Sequence, residues 1–529
     1  MKNVLCFGKK PCLLTAALLL AFLFTGSFAY SEVIQTAVSA NVADDYSSGA
    51  HSVISVEPVG GPRTVRNNLL PTISDITVNA YGRYFYRTER YNGDNVTKFD
   101  IASPDKPIWQ FSTLSSEDKG TGNPQGLIFV NAEKAYILRM GSTKAWIVNP
   151  SAVKESEFKI GELDLGSYAD SDGNPEMNSG IVAKGKLFIT LIRYDQSKGW
   201  ALTNTAYIAV FDIATDKEIT TGIKNEDGVK GIPLPVKNPG AAAYLSENNM
   251  LYVQGTGGYA STWSGTPAEY SGGIVSINPD TYETKLILDD DADGVPLYGG
   301  NISGMAIISP TKGYLTIYKD ADKGSVRTFN PSAGTAGNIV AGLDNKSISG
   351  MDSGVYPDKN LMLWVCNHTD ARIDIVNTAS DTIDESISTN LNPNRIVFCE
   401  EVLPGFHVTD KLWIRAVIKT EEKGEIEALW KEGGREKTQG GDEVIYGHFY
   451  ASPSDVNWGS GQNPDVFVKI WFDRSGRIDV NFFHVSVPEI RVSSAYPYTG
   501  SPAEEDTATI TTRYIRHWYE NGESHSQAQ

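Results

Sequence analysis

Two short acidic stretches carry the residue types and spacing for cation chemistry. LDDDADGVPL (288–297) sets Asp289, Asp291 and Asp293 at alternate positions ahead of Gly294. That spacing lets a tight loop turn several oxygens toward one Ca²⁺. An EF-hand would need a bidentate Glu at the twelfth loop position, but Gly300 stands there and no helical pattern flanks the loop. The stretch therefore reads as a loop site at most. YADSDGNPEM (168–177) offers Asp170, Asp172 and Asn174 at similar spacing. Each stretch also has a plainer reading, a solvated acidic turn whose glycine takes a positive φ. Ca²⁺ is the one cofactor that these residues suggest.

Catalytic motifs are otherwise absent. The chain has no G-x-S-x-G elbow, no C-x-x-C-H haem site and no H-E-x-x-H zinc pair. Ser303 and Ser349 occupy matching places in GNISGM and SISGMDSG, and no His accompanies either. Repetition of a structural unit explains them better than nucleophilic catalysis does. Asn301 and Asp352 are expected to begin apolar strands and are candidate ligand-binding groups. His368, in CNHTD, reads as a turn residue.

The chain that must position these groups begins with an export signal. Lys2, Lys9 and Lys10 precede the apolar run LLTAALLLAFLF (13–24), and Ser27 and Ala29 suit a cut after Ala29. The run is too short to span a bilayer, which takes about 20 residues. Residues 1–29 are thus expected to be a cleaved leader, 30–49 a flexible segment, and the mature protein secreted, periplasmic or on the cell surface, with no transmembrane segment. Cys6 and Cys12 leave with the leader. The remaining pair, Cys366 and Cys399, makes a disulfide a candidate in an oxidising compartment, with two buried thiols as the alternative. The formal charge of −18 becomes −21 once the three leader lysines are gone. A surface so acidic repels phosphate backbones, which argues against nucleic acid as a partner.

Internal repetition organises the next 350 residues. Short strands begin at ISDITV (73), NPQGLIFV (123), NPEMNSGIV (174), NPGAAAYL (238), GGNISGMAI (299), SISGMDSGV (347) and NPNRIVF (392). Their starts fall about 45–64 residues apart, near the length of a four-stranded propeller blade. Six are followed by a tight turn and a second apolar strand, such as NAEKAYILRM or SENNMLYVQG. A third strand then runs into a polar turn: FDIASPDK (99), WIVNPSAV (146), FDIATDKE (211), VSINPDTY (275), RTFNPSAG (327) and DIVNTASD (374). Residues 51–66 look like an outer hairpin with no inner strand ahead of it, and NPNRIVF like an inner strand with no hairpin behind it. Joined, they complete a seventh blade and close a ring without exposed sheet edges.

This pattern resembles the YVTN/NHL-type (WD40-like) seven-bladed β-propellers of exported bacterial proteins, over roughly residues 50–404. The resemblance implies a binding platform, or an enzyme of the lactonase-like or cofactor-dependent kind with a calcium near the channel mouth. Enzymes of that kind gather carboxylates and amides around the channel, so Asp170, Asp289, Asp291, Asn301 and Asp352 would have to meet in one cavity. The insertions RYDQSKGWALTNT (193–205) and QGTGGYASTWSGTPAEY (254–270) join a second strand to a third and should emerge on one face, where recognition of a protein, glycan or small ligand usually resides.

After Leu403-Pro404-Gly405, six alternating segments between 411 and 519 predict a β-sandwich-like domain over 408–520, with a disordered tail at 521–529. Trp458 and Tyr450 flank a Gly/Ser/Asn loop and are candidates for stacking on sugar rings. Trp413, Trp430 and Trp471 fall within strands and read as packing residues.

Overall fold

The computed structural model describes residues 33–402, apart from 57–62, 261–265, 321–322 and 356–360, and the backbone of strands between 411 and 528. Residues 1–29, expected to be a leader, lie outside the described residues. The chain divides into two compact units, one of them Glu32–Val402.

That unit is a ring of seven antiparallel sheets, six of four strands and one, blade 3, with a short fifth strand, Ile232–Pro233, paired to Tyr207–Asp212. Blades 1 to 6 follow in order, with inner strands Ile76–Tyr81, Pro124–Asn131, Met177–Ala183, Pro239–Leu245, Asn301–Ser309 and Ile348–Val355. Each inner strand touches the inner strands of the blades on either side, and Asn392–Val402 touches both Ile348–Val355 and Ile76–Tyr81, so the ring is closed. Blade 7 takes its inner strand from Asn392–Val402 and its three outer strands from Val33–Val42, Gly49–Ser55 and Val65–Thr72.

Here the structure corrects the expected boundary. Residues 33–42 are not flexible: they form the second strand of blade 7, paired with the inner strand from Val33↔Val402 to Val42↔Asn392. The closing contribution from the N-terminal side is three strands rather than a hairpin.

The apolar code follows from stacking. Second strands lie between two neighbouring blades and are buried on both faces, so Tyr84–Glu89, Lys134–Arg139, Lys186–Leu191 and Met250–Gly255 have only their first residue partly exposed. Outer strands reach solvent and alternate, as in Pro107–Ser112. The described core falls into seven clusters, each shared by two successive blades. Burial between blades is therefore the main cohesive term.

The polar phrase after each third strand also has a physical role. Its first Asn or Asp accepts from backbone N–H groups two or three residues on, as Asp212 does from Thr215 and Asn278 from Asp280. In blades 3 to 6 the fifth residue is left-handed: Asp216 (φ 54°), Tyr282 (φ 63°), Gly334 (φ 62°) and Asp381 (φ 58°). The turn then docks on the preceding blade. Tyr136 Oη donates to Asp216 at 2.6 Å, and Tyr314 Oη to Asp381 at 2.6 Å. Lys98 Nζ donates to the Pro150 carbonyl and Lys186 Nζ to that of Pro279.

The cysteines are free, buried thiols, not a disulfide. Cys366 packs with Trp364 and Ile396 between blades 6 and 7, whereas Cys399 packs with Val397 and Phe85 between blades 7 and 1. Alternation along Asn392–Val402 turns Ile396 toward Cys366 of blade 6 and Cys399 toward blade 1, so the blade 7 sheet separates the two sulfurs. Burial pushes the Cys366 thiol up to about 12.

The second unit is all-β, with its described strands in one eight-stranded sheet that is antiparallel except for Ile478–His484 beside Thr512–Glu520. Glu523–Ala528, where a disordered tail was expected, pairs with Thr512–Glu520 as an edge strand. Tyr450 lies on Glu443–Ala451, opposite Leu429. Trp458 lies outside the described residues.

Candidate functional site

In each blade the connection from second to third strand, and the one leading to the next blade, leave the same end of the antiparallel sheet. Both insertions and both acidic stretches therefore belong to one face of the ring, the loop face, as alternation along the chain requires.

Side chains on the blade 3 sector of this face are cross-linked. Ser171 Oγ donates to Asp195 Oδ2 at 2.9 Å, and the Gln196 amide to Asp172 Oδ2 at 2.9 Å. Asn204 Nδ2 donates to Asp170. Asp195 is buried and pairs with the exposed Lys198 at 2.7 Å. Arg193 holds the base of the insertion through Tyr168 O (2.8 Å), Thr205 O (2.9 Å) and Asp227 (2.8 Å).

Glu176 is not among the residues that sequence spacing singles out. Its exposure is 0 %, and neither carboxylate oxygen has a hydrogen bond of good geometry, the Tyr194 backbone N–H being the donor that approaches it. Burial, then the charges of Asp172 and Asp170, push it up to about 9. The signal was present in the sequence: the alternate-oxygen series Asp170, Asp172, Asn174 runs on to Glu176.

The second acidic stretch is a small hairpin. Asp291–Ala292 pairs with Val295–Pro296, and the turn between them, Asp293 (φ 55°) and Gly294 (φ 82°), has the left-handed pair of a type I′ turn. Asp289 and Asp293 are exposed. The buried member is Asp290, which accepts from the Gly272 amide at 3.1 Å and is raised to about 6 by burial. Among the described residues, no three His, Cys, Asp or Glu side chains stand close enough to hold a metal ion as they lie.

The loop face also carries the exposed aromatic rings. Tyr46 (64 % exposed), Tyr91 (57 %), Trp200 (57 %) and Tyr259 (43 %) are the exposed aromatic side chains among the described residues. All four sit on connections from second to third strand, in blades 7, 1, 3 and 4. Three are braced by another ring: Tyr46 stacks with His368 at 6.2 Å, Trp200 meets Tyr194 edge-on at 4.9 Å, and Tyr259 lies 4.4 Å from Tyr318.

Asn301 and Asp352 do not share a site. Asn301 is buried, and its amide donates to Thr256 O at 2.9 Å and Glu269 O at 3.0 Å, pinning both ends of the blade 4 insertion. Asp352 is the fifth residue of its strand, not the first, and lines a channel cavity of about 310 Å³ with Gln35, Asn79, Leu127, Phe129 and Glu400. The cavity lies toward the far ends of the inner strands, away from the acidic loops. Burial raises the Asp352 carboxyl, with Arg395 opposing. Of Asp170, Asp289, Asp291, Asn301 and Asp352, Asp352 alone lines this cavity. Among the described residues no helix is long and apolar enough to cross a membrane.

No family model and no curated protein matches the chain. Solved structures similar to it include apo AztD from Citrobacter koseri, at 12% identity and a TM-score of 0.40, covering 70% of this chain and 98% of that one. A streptogramin B lyase structure shares 13% identity, with a TM-score of 0.39, over 67% of this chain and 89% of its own. Kuenenia stuttgartiensis hydrazine synthase shares 12% identity at a TM-score of 0.41, over 60% and 87% of the two chains. At such identities and scores these likenesses carry no argument about activity. Strand pairing and ring closure make the chain a seven-bladed β-propeller with a second all-β unit.

Proposed function

We propose that this protein is an exported binding protein, with a propeller of the YVTN/NHL type, that recognises an extracytoplasmic ligand on its loop face. The observation that supports this reading most is the set of four exposed rings, contributed by four blades to one face. Aromatic side chains supply large, stiff contact area, and most of these are held in place by a neighbouring ring. Carboxylates of Asp44 and Asp45 are exposed on the same face, where they would accept hydroxyl hydrogen bonds and repel anionic polymers. A neutral glycan is the ligand chemistry that fits both features, with a protein surface or small ligand as the broader class. The lactonase-like alternative needs groups from several blades around one cavity, and the residues singled out for that role lie apart.

A glycan array probed with the mature protein and with a Tyr46→Ala, Tyr91→Ala, Trp200→Ala, Tyr259→Ala variant tests this. The reading expects neutral oligosaccharides to bind the wild type and the variant to lose at least tenfold in affinity while its melting temperature holds. Binding that survives all four substitutions would contradict it.

A further inference from the structure

The blade 3 sector holds a feature that a binding face does not need. Burying an ionised carboxylate without a partner is costly, and native proteins relieve it with a proton, a cation or hydrogen bonds. Glu176 is fully buried, and the donor that approaches its carboxylate is the Tyr194 backbone N–H, which does not reach good hydrogen-bond geometry. Its principal charged neighbours, Asp172 and Asp170, are like charges. The nearby cation, Arg193, is committed to Tyr168, Thr205 and Asp227. Asp195, tied to the same loop through Ser171, adds a further buried carboxylate.

We propose that Asp170, Asp172 and Glu176 form a calcium site at the blade 3 sector of the loop face, with Asn174 completing an alternate-oxygen series. The donors are all hard oxygens on a short loop, a set suited to Ca²⁺, which accepts irregular geometry, more than to Mg²⁺, which demands a near-ideal octahedron. The three carboxylates do not stand at ligating distance as they lie, and the loop 170–174, with its tip at Gly173 (φ 92°), is the segment that would have to draw them together. Because Asp172 receives the Gln196 amide and Asp170 the Asn204 side chain, ion binding would also stiffen the insertion that presents Trp200. The site does not depend on the ligand-binding reading above.

The test is calorimetry and thermal melting of the full secreted chain in EDTA, in CaCl₂ and in MgCl₂. The wild type should bind Ca²⁺ with a dissociation constant on the order of 10⁻⁵–10⁻³ M and melt a few degrees higher with it, Mg²⁺ acting at least tenfold more weakly. Glu176→Gln, which keeps shape and removes charge, should lower Ca²⁺ affinity at least tenfold and melt no lower than wild type in EDTA. Asp293→Asn, on the other hairpin, should respond as wild type does. Should Glu176→Gln fail to fold, Tb³⁺ luminescence of the wild type gives an independent reading. Emission excited through tryptophan should be competed away by Ca²⁺ and be reduced in Trp200→Phe, while that variant keeps its calorimetric Ca²⁺ affinity. No heat and no melting shift in 10 mM CaCl₂ would overturn the proposal. So would a Glu176→Gln affinity within twofold of wild type, loss of the response in Asp293→Asn, or Tb³⁺ emission that Trp200→Phe leaves unchanged.

Discussion

His51 and Glu176 show how much a single buried titratable group depends on what faces it. His51 is fully buried between blades 7 and 1. Its Nε2 meets the Pro104 carbonyl at 2.8 Å, and its Nδ1 meets Arg87 Nη1 at 3.2 Å. A carbonyl can only accept and a guanidinium can only donate, so the ring is neutral, with its proton on Nε2. Burial holds it down to about 4, with Arg87 and Arg66 adding to the effect. The folded value lies below the unfolded one, near 6.5. The stabilising contribution is therefore complete above about pH 6.5 and is lost as the pH falls toward 4. Denaturant melts should show a loss of about 2–3 kcal/mol from this group between pH 7.5 and 4, and His51→Gln should flatten that part of the profile. An unchanged slope in the variant would show that the ring is not the source. Residue-scale chemistry was only partly legible in the sequence. Spacing marked Asp170 and Asp172, but which oxygens are orphaned depends on partners distant along the chain, such as Asn204 for Asp170.

At the scale of elements, the recurrent turn after each third strand joins blades as well as reversing the chain. Asp216 combines a left-handed backbone with acceptance from Tyr136 Oη and Lys134 Nζ, the latter at 2.7 Å. Removing the carboxylate leaves the buried Tyr136 hydroxyl without its acceptor. Asp216→Ala should cost about 2–3 kcal/mol in denaturant melts, and Asp216→Asn, which tolerates the φ and retains an acceptor, clearly less. Equal effects would mean that the docking bond contributes little. These turns and the paired strands before them were readable because Asn, Asp and Pro recur there with a physical purpose. The strand Val33–Val42 was not, because it is built of small and β-branched residues with no turn signal ahead of it. The expected disulfide failed for a geometric reason that composition does not carry: its two sulfurs face opposite sides of one sheet.

For the whole molecule, closure fixes two faces that differ in chemistry. One presents the insertions, the acidic loops and the four exposed rings; the channel cavity lined by Asp352 lies toward the other. The ring was legible because its unmatched ends were complementary, whereas the identity of the recognition face emerged only when exposure could be compared around all seven blades. The account places the ligand on the loop face, and hydrogen–deuterium exchange measures that directly. With the tightest-binding neutral oligosaccharide from the array, protection should appear at 43–48, 90–94, 194–204 and 256–260. Protection at Asn79–Tyr81 and Met351–Ser353, with the loop face unchanged, would contradict it.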